Sequence, residues 1–178
     1  MLAAIGALVP LPAAAAGSQP VSAMQPPGMA ETLKANPGSV RTGENTVLLK
    51  PGVMVALPSN GDVTTQSLGQ CPAGWLCGWV DSDYRGAMYG IRQGDHIDFL
   101  YWWYNPYNGA TVYDDWGSPG PEWRRWGNSI TSVYNNTSLL WTPFYSYRNG
   151  ENFYARRGAP SPYVGAKWND SFTKACAC

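Results

Sequence analysis

Few side chains in this 178-residue sequence could carry covalent or acid–base chemistry: four cysteines, one histidine and 12 acidic residues. Cys71 and Cys77 bracket Pro72-Ala73-Gly74-Trp75-Leu76, and Cys176 and Cys178 form a Cys-x-Cys. Four cysteines allow three pairings. A local Cys71–Cys77 bridge forces Cys176 onto Cys178, a spacing that strains a disulfide. Joining the first two to the last two removes more unfolded-chain entropy, so end-to-end staples are the expected arrangement. Zinc is the competing use of the thiols, but neither corner has a histidine beside it.

His96, within Gly94-Asp95-His96-Ile97-Asp98, is the one candidate for an imidazole base. No Gly-x-Ser-x-Gly elbow presents a serine to it. Asp114, Asp115 and Glu122 could act as paired glycosidase carboxylates, although adjacent acids in a Gly/Pro-rich loop are ordinarily just solvated. The expectation is a protein that is not an enzyme and needs no cofactor.

Aromatic chemistry dominates instead. Nine Trp, eleven Tyr and four Phe make up 13% of the sequence, and all of them lie between Trp75 and Phe172. The densest stretch is 101–125, with Tyr101, Trp102, Trp103, Tyr104, Tyr107, Trp116 and Trp123 as candidate binding residues. Trp and Tyr anchor protein interfaces and stack on sugar faces. An exposed cluster of that size needs a partner. Rings buried as the core of a long covering loop would need none, and the sequence leaves both readings open.

These groups must be positioned by a chain with 20 Gly, 15 Pro and no convincing helical period, which favours turns and short strands. Charge is low at 13% and sums to zero, with 12 basic and 12 acidic residues, so no overall basic field exists for nucleic acid. No apolar run reaches the roughly 18–20 residues of a membrane span. The zero conceals a split: 81–122 holds seven acids against Arg85 and Arg92, net −5, and 123–178 holds seven bases against two acids, net +5. Pairing of the halves across the fold is preferred over steering of a charged partner.

Residues 1–16 look like the apolar core of a secretory signal ending in an Ala-x-Ala site. Residues 17–45 read as a linker with at most a turn or so of helix around 31–35. Residues 46–66 hold a hairpin, 46–49 and 53–57 about Lys50-Pro51-Gly52, with its connection and a 59–62 turn. Two strands alone are marginal, so the hairpin should dock on the remainder, 67–178. There, runs at 75–80, 87–91, 130–134, 139–147, 152–155 and 172–175 read as strands of an antiparallel sandwich or barrel.

Trp79, Tyr84 and Gly86 follow the aromatic-x4-aromatic-x-Gly spacing of a βγ-crystallin-type Greek key, in which the rings staple a folded-over hairpin and Gly takes a conformation closed to other residues. Trp126-Gly127-Asn128-Ser129 and Trp168-Asn169-Asp170-Ser171 resemble the endings of two such keys, about 41 residues apart from Asn128 to Asn169. The second key offers only Tyr147-Arg148-Asn149-Gly150, in a shifted register, for its own hairpin. The Cys-Pro-x-Gly-Trp-x-Cys opening, the two keys and a leader like Asn36-Pro37-Gly38-Ser39-Val40-Arg41 with its Val/Leu-rich hairpin resemble the Streptomyces metalloproteinase inhibitor family over about 34–178.

That resemblance implies an all-β, βγ-crystallin-like Greek-key sandwich of two keys with an N-terminal leader and β-hairpin. It also implies a secreted peptidase inhibitor acting through a rigid, disulfide-stapled loop on an extracellular, metal-dependent protease. No reactive-loop motif matches; 101–125 is the first choice of loop and 149–162 the second. Crystallin calcium sites draw oxygens from the key endings, which makes Asn128, Ser132, Asn169 and Asp170 the calcium candidates. The first copy lacks the leading Asn/Asp and the second ends in Lys174, so these groups are expected to hydrogen-bond the turns instead. The alternatives are a cell-envelope binding module using the aromatic loop on glycan or protein, and a calcium-binding structural protein.

Overall fold

A computed structural model describes residues 27–58 and 68–178. The signal-like segment 1–16 and the 59–62 turn lie outside them. The described elements in chain order are helix α1 (Met29–Ala35) and strands β1 (Val40–Arg41), β2 (Thr46–Lys50), β3 (Val53–Ala56), β4 (Trp75–Trp79), β5 (Met88–Arg92), β6 (His96–Asp98) and β7 (Trp102–Tyr104). There follow β8 (Thr111–Tyr113), β9 (Arg124–Arg125), β10 (Ser132–Asn135), β11 (Trp141–Ser146), β12 (Glu151–Arg156), β13 (Pro160–Ser161) and β14 (Lys174–Cys176). The fold is all-β apart from α1, as expected of a crystallin-like chain.

Three sheets form: β1-β2-β3-β5-β4-β10-β13, β12-β11-β14-β6 and β8-β7-β9. Within the first two the chain exchanges strands. The run β4, β5, β6, β10 sends β6 to the four-stranded sheet, while β11, β12, β13, β14 sends β13 to the seven-stranded one. Leu76, Tyr89, Ile91 and Val133 of one sheet meet Ile97, Phe144, Ala155 and Ala175 of the other in a single core. Full burial of such side chains contributes roughly 1.5–3 kcal/mol each.

The hairpin docks as expected, by pairing: β3 lies antiparallel to β5, with Val53 opposite Ile91 and Val55 opposite Tyr89. The corner motif is also built as its spacing suggests. The Trp79 and Tyr84 rings meet edge-on with centroids 5.2 Å apart. Gly86 has φ 75°, and a Cβ there would lie 2.5 Å from Val80 Cγ2. Ser132 locks the corner to β10, donating to the Asp81 carbonyl at 2.7 Å and accepting from the Tyr84 amide at 3.2 Å.

Two expectations are corrected. The disulfides are Cys71–Cys77 and Cys176–Cys178, not end-to-end staples. The reason is topological: Cys77 sits in β4 of the seven-stranded sheet, whereas Cys176 sits in β14 opposite His96 in the other sheet. Second, the described part of the segment read as a linker is structured. Helix α1 runs for seven residues, and Met29 and Thr32 are fully buried.

Candidate functional site

The aromatic segment forms its own three-stranded sheet, and alternation does not sort its rings. Trp102, Trp103 and Tyr104 are successive residues of β7, and all three are buried because both faces of the strand are covered. Trp102 and Tyr104 belong to the main core. Trp103 packs with Trp123 and Ala110 in a separate cluster, and the Arg125 guanidinium lies 4.3 Å from its ring centroid. That stacking adds cation–π attraction to the burial. Arg125 also donates to the Leu100 carbonyl. Burial raises the Tyr104 phenol above its ordinary range, against a lowering hydrogen bond from Ser129.

Four of the seven expected binding aromatics, Trp102, Trp103, Tyr104 and Trp123, are therefore core. Tyr101, Tyr107 and Trp116 are exposed. Tyr107 caps the loop between β7 and β8 at 84% exposure, and Trp116 stands at 95% in the loop 114–123 between β8 and β9. Both ends of that loop are strands paired with β7: Trp102 faces Tyr113, and Trp103 faces Arg125. Inside it, Asp114 Oδ1 accepts from the Trp116 amide at 2.8 Å, an Asx turn. Ser118 Oγ donates to the Gly120 carbonyl at 2.8 Å, and Trp123 Nε1 donates to Glu122 Oε1 at 3.0 Å. Neither disulfide closes over this segment; hydrogen bonds and the buried β7 hold it.

The helix supports the same sheet, which the sequence reading missed. Thr32 and Asn36 stand four residues apart on one helical face and pair with the outer edge of β8. Thr32 Oγ1 accepts from the Thr111 amide at 2.9 Å. Asn36 donates to the Thr111 carbonyl at 2.6 Å and accepts from the Tyr113 amide at 3.3 Å. Gly28, at φ 79°, lets the two approach: a Cβ there would lie 2.4 Å from the Asn108 carbonyl oxygen. The available signal was the four-residue spacing of two short polar side chains beside a Gly.

The remaining candidates are dispersed. His96 is exposed on β6, and the acids Asp114, Asp115 and Glu122 belong to the 114–123 loop of another sheet. Of the calcium candidates, Asn128 is exposed and Ser132 is engaged at the corner as described. Asn169 donates to Asp170 Oδ2 at 2.8 Å. Asp170 has φ 54°, and burial followed by the nearby Asp81 charge raises its carboxyl above the ordinary value. Among the described residues no group of three or more His, Cys, Asp and Glu converges on a common point, and no helix is long and apolar enough to cross a membrane.

The chain is thus an all-β, crystallin-like domain that holds out an aromatic-tipped, hydrogen-bonded loop on a buried strand. The sequence model of peptidase inhibitor family I36 matches residues 64–156, just over half of the chain. The chain belongs to that family, the Streptomyces metalloproteinase inhibitor family, and is by membership a peptidase inhibitor whose partner is a protease. No curated protein and no solved structure matches it.

Proposed function

We propose that the chain is a secreted inhibitor of metalloproteinases and that loop 114–123 is the segment that enters the protease cleft. The observation that carries this is Trp116: a side chain 95% exposed, on a loop tied at both ends to a buried strand. Large exposed aromatics are the side chains that fill partner pockets. A loop already ordered before binding loses little freedom on docking, so it associates as a substrate does and leaves slowly.

The acids beside Trp116 support a metal-dependent target. Asp114 and Glu122 are engaged within the loop, whereas Asp115 is exposed with no hydrogen-bond or ion-pair partner among the described residues. A free carboxylate next to an apolar anchor is a group that a catalytic zinc accepts. Two disulfides suit an oxidising, extracellular setting.

The test is a titration against a thermolysin-like protease. Trp116→Ala should weaken inhibition about 30-fold or more, the roughly 2 kcal/mol of a hot-spot residue. Asp115→Asn should weaken it less. Absence of inhibition by folded protein at micromolar excess would overturn the metalloproteinase assignment. Full inhibition by Trp116→Ala would overturn the choice of loop.

A further inference from the structure

We propose that the outer face of the four-stranded sheet binds an anionic polysaccharide, at a site separate from the inhibitory loop. Along β11, Thr142, Phe144 and Ser146 are buried, which turns Trp141, Pro143 and Tyr145 outward. Along β12, Ala155 is buried, which turns Asn152, Tyr154 and Arg156 the same way. The register places Trp141 opposite Arg156 and Pro143 opposite Tyr154, so the Trp141 and Tyr154 rings are diagonal neighbours on adjacent strands. They are 50% and 54% exposed and wall a shallow concavity of about 450 Å³. The backbone ladder beneath them means that the platform exists before any ligand arrives.

A shallow platform of two rings fits the C–H face of a sugar, which is flat and apolar with hydroxyls at its edge. Asn152 lies beside the rings to pair with such hydroxyls. The charge around the platform selects the kind of sugar. This face carries two basic residues, Arg156 and Lys174, against one acid, Asp98. Lys174 is shared with Asp98 at 3.4 Å. Arg156, next to Trp141, has no ion-pair partner among the described residues.

A second concavity of about 210 Å³, lined by His96, Tyr145, Lys174 and Cys176, continues the face across β14 to β6. Four strands at roughly 4.8 Å spacing span about 14 Å, room for about three linked sugars. The platform is open rather than enclosing, which suits a linear polymer crossing it more than a free small molecule.

The test is electrophoresis of the whole protein through gels holding polygalacturonate, dextran or poly-glutamate. Retardation by polygalacturonate alone is expected, weakening as salt is raised. Trp141→Ala, Tyr154→Ala and Arg156→Gln should each lower the affinity at least five-fold. Melting temperature and protease inhibition should remain those of the parent, which separates this surface from the inhibitory reading. Four results would overturn the proposal: no retardation, equal retardation by poly-glutamate, undiminished retention in both aromatic variants, or a Trp141-dependent dimer in sedimentation.

Discussion

The coupling between α1 and β8 can be tested by removing one side chain. Asn36→Ala deletes three hydrogen bonds: to the Thr32 carbonyl at 2.8 Å, to the Thr111 carbonyl at 2.6 Å and from the Tyr113 amide at 3.3 Å. Thr111 is fully buried, so its carbonyl finds no water in exchange. A buried polar group left unpaired costs about 1–3 kcal/mol. The Tyr113 amide belongs to a half-exposed residue and recovers part of its loss from solvent. The total comes to about 2–4 kcal/mol. With a urea slope of roughly 2 kcal/mol/M for a protein of this size, the midpoint should fall by about 1–2 M. Tryptophan fluorescence is the readout, since Trp102 and Trp103 lie in the neighbouring strand. Asn36→Asp keeps the acceptor for Tyr113 but loses both donated bonds, so it should be nearly as damaging. A midpoint within about 0.3 M of the parent for Asn36→Ala, or a harmless Asn36→Asp, would refute the claim that this side chain couples α1 to the outer edge of β8.

Other expectations concern the corner, the cystines and the acid range. Gly86→Ala puts a methyl 2.5 Å from Val80 Cγ2 at φ 75°, and thermal melting should show a loss of at least about 2 kcal/mol from strain and overpacking. Tryptic digestion without reductant should release 175–178 as a free peptide carrying its own Cys176–Cys178 bridge; recovery of that peptide attached to the Cys71 segment would refute the pairing. Burial and Asp81 favour the protonated form of Asp170 in the folded state. Its charge therefore opposes folding at neutral pH, and that opposition is relieved as pH falls through the raised folded-state value. Asp170→Asn should be the more stable protein at pH 7, with the difference shrinking in acid, as followed by melting temperature against pH.

The parts legible in the sequence are those in which local pattern and tertiary structure agree. The run 139–147 is legible as β11 because aromatic and other strand-prone residues between turn signals favour an extended chain, although Thr142, Phe144 and Ser146 rather than the larger rings face the core. Trp79, Tyr84 and Gly86 are legible because a folded-over corner admits few residue types at those positions. Trp102-Trp103-Tyr104 gives no period, since a strand covered on both faces buries every side chain, and core could not be told from surface there. Helix α1 was read as no more than a turn because its apolar face is only Met29 and Leu33, and because the rest of its anchorage is polar, Thr32 and Asn36 on β8. The cystines were misjudged by weighing Cys-x-Cys strain and loop entropy, neither of which knows the sheet each cysteine enters. The exposed aromatics on β11 and β12 were in view as strand residues, yet only the register shows that Trp141 and Tyr154 are neighbours.

The exchange of β6 and β13 between the sheets has a consequence for how the chain is made. In the four-stranded sheet, β14 lies between β11 and β6, so residues near position 175 must be present before elements from positions 96 and 144 can be joined. Ribosomal synthesis delivers that strand last. Contacts of such long sequence separation also form slowly. A growing chain of this design can complete the seven-stranded sheet once β13 has emerged, but it leaves β6 unjoined to β11 and β12, and the core between the two sheets open on that side, until β14 follows.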